Sequence, residues 1–181
     1  MFAEILSIAR YCNQLDYALL ITECDSSAEE IILFKLLNLT KSFERCKRIF
    51  NYAHQNIEIK SLAFDKMVKF AKSYRNWRFI YKNSGNNEDL KVKALNEMSK
   101  FAKTFNEWRF IYYESLDDNL IDLALSQMAR YASNFKQNQF IYMESPYKSG
   151  LRSEFLVKVV EGAVDGYQCR IAHKSLKEFQ L

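Results

Sequence analysis

One nineteen-residue phrase recurs in this chain and limits the architectures open to it. Residues 63–81 read AFDKMVKFAKSYRNWRFIY, and residues 94–112, displaced by 31, read ALNEMSKFAKTFNEWRFIY, with 11 identities. Residues 124–142, displaced by a further 30, read ALSQMARYASNFKQNQFIY. The lost residue lies in the linker, since Ser84 to Leu90 is one step longer than Ser115 to Leu120. Weaker copies flank these three: Leu36–Phe50 and Ile8–Leu19 before them, Leu156–His173 after. The chain divides into units of approximately 1–26, 27–57, 58–87, 88–118, 119–148 and 149–181. Degenerate end copies are expected where an array meets solvent on one side.

Each copy reads as two helices. In the first, Ala63, Met67, Phe70/Ala71 and Tyr74 follow the helical period, and Ala94, Met98, Phe101/Ala102 and Phe105 repeat it. The small mid-helix Ala admits a close neighbour. In the second, Trp77, Ile80, Tyr81 and Ser84 fall on one face. Polar clusters such as Asn83–Asn87 and Leu116–Asn119 separate the copies, with Glu88, Asp89, Asp117 and Asp118 suiting helix starts. Ser27-x-x-Glu30 has the form of a capping box. Only 4 Gly and 1 Pro occur, too few for the turns of a sheet protein. The predicted fold is all-α, an α-solenoid of about six stacked antiparallel helix pairs, forming one repeat domain over 1–181.

This pattern resembles the HEAT/armadillo class of α-solenoids, in particular short HEAT-like repeats of bacterial proteins. The HEAT Pro and Asp/Arg pair are not in place, since Pro146 is in a linker. The resemblance implies stacked helix pairs with an extended binding groove lined by second helices, and implies no activity.

Charge is unevenly spread. Residues 1–34 hold one Arg against six acids, 35–109 hold 17 Lys/Arg against 7 acids, and 110–181 hold 8 against 9. With helical spacing applied to the second helix, Trp77, Ile80, Tyr81 and Ser84 form the buried side, and Phe79 an opposite apolar side that stacking requires. The band left open holds Arg75, Arg78 and Lys82, then Asn106, Arg109 and Tyr113, then Lys136, Gln139 and Met143, with Glu44, Lys47 and Asn51 in the preceding copy. Lys47, Arg78, Arg109, Gln139 and Arg170 share one slot and make a mostly basic ladder. Such a ladder suits an acidic protein partner or, as the alternative, a nucleic-acid backbone. The competing structural role is pairing with acids of adjacent copies such as Glu107 and Glu114. The basic set on the first helices, Lys69, Lys72, Lys100, Lys103 and Arg130, reads as a solvated outer face. Tyr113 and Met143 are apolar anchors within the open band.

Chemistry is thinly represented. No nucleotide loop, serine-hydrolase elbow or metalloprotease motif occurs, and acid pairs are accounted for by helix starts. Cys169 and His173 supply at most half a metal site, and His54 falls at a junction between copies. Cys12, Cys24, Cys46 and Cys169 have no CxxC spacing and read as reduced, mostly buried thiols. No apolar run is long enough for a membrane span, and the first residues do not have the form of a secretory signal. The expectation is a non-enzymatic, cytoplasmic interaction module without cofactor or metal, binding an acidic partner. The abundance of Lys, Asn, Ile, Phe and Tyr points to an AT-rich genome, and a bacterial effector delivered into a host cell is a further expectation.

Overall fold

The computed structural model describes residues 26–53, 56–147 and 149–179, with side chains from residue 30 onward. Ten α-helices occur among them, and no strand: α1 Ser26–Leu39, α2 Phe43–Tyr52, α3 Ile57–Phe70, α4 Tyr74–Asn83, α5 Glu88–Ser99, α6 Phe105–Glu114, α7 Asp118–Tyr131, α8 Phe135–Glu144, α9 Gly150–Glu161 and α10 Gly166–Phe179. Odd-numbered helices are the first member of each copy and even-numbered ones the second; the first is the longer in every described copy but the last. The copy expected over residues 1–26, the side chain of Ser27 and His54 lie outside this description. The helices fall into two compact units divided between Lys91 and Val92.

In the first unit, α2 packs most closely on α3, with α1 against both and α4 against α3. Ile32, Leu33, Leu36 and Leu37 of α1 meet Ile49, Ala53, Ile59 and Ala63, and Phe50 closes the edge of this cluster. In the second unit the closest neighbours are α6 with α7 and α8 with α9, and α10 packs on α9. The tightest hairpins thus join the second helix of one copy to the first helix of the next.

Burial repeats with the sequence. Ala63 and Met67, Ala94 and Met98, Ala124 and Met128 are all fully buried. So are Ile80, Ile111 and Ile141 on the second helices. Ser84, Ser115 and Ser145 close these helices as buried caps. Burying a side chain such as Ile or Met contributes about 1.5–3 kcal/mol, and each of these three copies supplies the same set. The linkers vary around this constant frame. After Ser84 the chain turns through Gly85 at φ 57, a left-handed conformation suited to Gly. Ser115 instead leaves in an extended conformation, ψ 142, directly to Asp117, which caps α7. This shorter exit is the missing residue of the repeat.

The first helices end earlier than their apolar stripe suggests. α3 stops at Phe70, and Tyr74 opens α4 rather than extending α3. Ala71 and Ala132 both leave the helix at φ −68 and ψ 122, and three residues later the next helix has begun. The reason is capping: Ser73 and Asn134 hold the N-termini of α4 and α8, breaking the helix where the spacing of apolar residues alone would continue it.

Candidate protein-binding surface

The orientation of the second helices is set by a recurrent cap. Ser42, Ser73, Thr104, Asn134 and Asp165 each accept a hydrogen bond from the backbone N–H three residues on, at Arg45, Asn76, Glu107, Gln137 and Gln168. In four copies the bond is answered. The side chains of Asn76, Glu107, Gln137 and Gln168 accept from the backbone N–H of Lys72, Lys103, Ser133 and Val164, at 3.2, 2.8, 2.8 and 2.9 Å. This is a close variant of the capping box. It fixes the first helical residue of each copy, so that equivalent letters take equivalent positions around the helix. The recurring S/T/N/D-x-x-N/E/Q signal was present in the sequence at these five junctions, with Arg45 the one exception at its last position.

Within the first unit, Arg75, Arg78 and Lys82 are exposed on α4, and Lys47 of α2 is half-buried. Lys47 does not stand in open solvent: its ammonium lies 4.6 Å from the centroid of the Phe79 ring, packed onto the next second helix. Within the second unit, Arg109 and Tyr113 are exposed on α6, Tyr113 at 63%. Lys136 is exposed and Gln139 half-buried on α8, beside Met143 at 62%. Arg170 on α10 is exposed.

Local ion pairs, each spanning about one helical turn, occur among the described residues. Lys91 pairs with Glu88, Lys100 with Glu97 and Lys158 with Glu154, all within one turn of a first helix, and Lys174 with Glu178 near the end of α10. Among the described residues, Arg75, Lys82, Arg109 and Lys136 enter no ion pair. For Arg109 the pairing with neighbouring acids is therefore not found. Lys100, by contrast, is exposed and paired with Glu97 of α5.

A feature the sequence reading missed is the aromatic cluster beside this band. Phe140 of α8 packs edge-on against Phe105, Tyr112 and Tyr113 of α6, with centroids 5.9 Å apart in each case. The Tyr112 hydroxyl donates to the Glu144 carboxylate at 2.7 Å. Burial, then the bond to Glu144, pushes the Tyr112 phenol up to about 12.

Reactive groups are dispersed. Burial pushes the Cys46 thiol up, which disfavours the nucleophilic thiolate. Cys169 is exposed, as is His173, and Cys46 is buried. Among the described residues no three His, Cys, Asp or Glu side chains converge to hold a metal. No described helix is long and apolar enough to cross a membrane. Comparison with protein-family models, curated proteins and solved structures returns no match.

Proposed function

We propose that the protein is a non-enzymatic interaction module whose second-helix band takes an acidic segment of a partner protein. The observation that carries this is a set of exposed cations on successive second helices that no acid among the described residues neutralises. Arg75, Lys82, Arg109 and Lys136 are exposed on second helices outside any ion pair among the described residues, whereas Lys91, Lys100 and Lys158 are each matched by an acid one turn away. Unmatched guanidinium and ammonium groups with apolar neighbours such as Tyr113 and Met143 suit carboxylates carried on a peptide with apolar side chains. The repeat length and paired helices support a HEAT/armadillo-like array as the frame for that band. The reading places the protein in a reducing compartment, the cytoplasm, where a free thiol such as Cys46 persists.

The test is fluorescence anisotropy with a labelled glutamate-rich peptide and, in parallel, a labelled DNA duplex, at about 50 mM salt where backbone contacts are strongest. The peptide should bind, and the combined variant Arg75→Glu, Lys82→Glu, Arg109→Glu, Lys136→Glu should lose it while keeping its helical circular dichroism. A peptide that binds the variant as well as the parent contradicts the assignment. Duplex binding with a steep salt dependence, alongside indifference to the peptide, replaces the acidic protein with a nucleic-acid backbone.

A further inference from the structure

The repeat builds the same aromatic cluster within each of the two units and equips it differently. In the first unit, Phe79 packs edge-on against Phe43 and Phe50, with centroids 6.1 and 6.0 Å apart. In the second, Phe140 meets Phe105 and Tyr112, both at 5.9 Å. These are the same slots: Phe43 corresponds to Phe105, Phe50 to Tyr112 and Phe79 to Phe140.

The first cluster carries two cations from its own chain. Lys47 stands over Phe79 at 4.6 Å, and Lys60 of α3 stands over Phe50 at 5.1 Å. The slot of Lys60 is used again further on, where Arg152 of α9 lies 4.6 Å from the centroid of Tyr142. A ring face attracts a cation through its quadrupole, and the chain meets that attraction internally at these positions.

The second cluster has neither cation. The slot of Lys60 and Arg152 is filled by Ile121. Arg109 occupies the slot of Lys47, yet among the described residues no cation lies over Phe140, and Tyr113 packs against that ring instead. A negative group has been added, because Glu144 accepts from Tyr112, where the first-unit slot equivalent to Glu144 is the neutral Asn83. Tyr113 adds a third ring, 5.5 Å from Tyr112 and 63% exposed. Three rings set at 75–79° to one another beside a carboxylate make a corner suited to an ammonium group.

We propose that the corner formed by Tyr112, Tyr113, Phe140 and Glu144 receives a lysine side chain from a protein partner, in the role that Lys47 and Lys60 play internally in the first unit. The occupant is argued from charge complementarity and from the lysines seated on the equivalent rings. It stands apart from the acidic-segment reading, since the corner selects a cation and is tested with one alone.

The experiment is ¹⁹F NMR of the full chain labelled with 3-fluorotyrosine, the Tyr112 and Tyr113 signals being assigned from Tyr112→Phe and Tyr113→Phe. The probes are Nα-acetyl-lysine amide and its uncharged counterpart Nα-acetyl-norleucine amide. The lysine probe should shift the Tyr113 signal saturably, with the norleucine probe about two- to fivefold weaker, the size expected for an exposed cation–ring contact. Glu144→Gln should weaken the lysine response. Ile121→Lys, which restores the internal cation, should abolish it with unchanged circular dichroism; should that variant unfold, Tyr113→Ser, read at the Tyr112 signal that the lysine probe also shifts in the parent, takes its place. Equal response to both probes, no saturable response to lysine, or full response in the Ile121→Lys or Tyr113→Ser protein overturns the proposal.

Discussion

The hydroxyl of Tyr142 donates to the backbone carbonyl of Ser175 at 3.0 Å, inside the second unit and across 33 residues. Both residues are buried, and the bond ties α8 to α10, the second helices of consecutive copies. Tyr142→Phe keeps the ring and removes the donor. It should cost about 1 kcal/mol, the typical value of one hydrogen bond, whereas Tyr142→Ala should cost about 3–5 kcal/mol through the cavity. Urea unfolding checks both values; a neutral Tyr142→Phe would show that the carbonyl is equally well served without the hydroxyl.

Ala124 is fully buried midway along α7, in the slot shared with Ala63 and Ala94. Close packing at this slot leaves no room for a longer side chain. Ala124→Leu should therefore destabilise by about 1–3 kcal/mol, while the same change at exposed Ser126 stays within about 0.5 kcal/mol. Thermal unfolding of the two variants separates packing from helix propensity, because Leu is a good helix former at both positions.

The caps predict a local effect of known size. Asn134 accepts from the Gln137 N–H at 3.1 Å, and Gln137 accepts from the Ser133 N–H at 2.8 Å. Asn134→Ala should cost about 1 kcal/mol and Asn134→Asp much less, since Asp caps as well as Asn. Amide hydrogen exchange should show the loss concentrated in the first turn of α8. Uniform loss across the unit would contradict a capping role.

Tyr112 gives the protein a pH signature in the alkaline range. Its phenol is held up to about 12, above its usual value of 10, first by burial and then by the bond to Glu144. The neutral form is the one favoured by folding. Its contribution is complete below pH 10, and is lost as pH rises from about 10 to 12, where the unfolded chain has released the proton and the folded chain has not. Spectrophotometric titration should find a late-ionising tyrosine that Tyr112→Phe removes. Glu144→Gln should bring it part of the way back, because burial, the larger cause, remains.

Much of this architecture was legible from one dimension. Ala94, Met98, Trp108 and Ile111 repeat the letters of Ala63, Met67, Trp77 and Ile80, and identical letters at one period imply identical environments. The break before Tyr74 was less visible, because Tyr74 continues the apolar stripe of α3 at helical spacing, and only the Ser73–Asn76 cap marks the interruption. Exposure of Arg75, Lys82 and Arg109 followed from the helical wheel. What their neighbours are did not. Periodicity tells which way a residue points but not which ring of another copy it meets. For that reason the Lys47–Phe79 contact and the Tyr112–Tyr113–Phe140 corner emerged only from the folded chain.

The central claim is that successive copies place equivalent letters in equivalent surroundings, and two residues report on it with no background. Trp77 and Trp108 are the only tryptophans, each 5% exposed, and each with its indole N–H buried and without a hydrogen-bond partner among the described residues. Fluorescence of Trp77→Phe and Trp108→Phe isolates one tryptophan at a time. The account predicts the same blue-shifted emission and the same low acrylamide quenching from both proteins. Water-like emission and easy quenching from either one would contradict it.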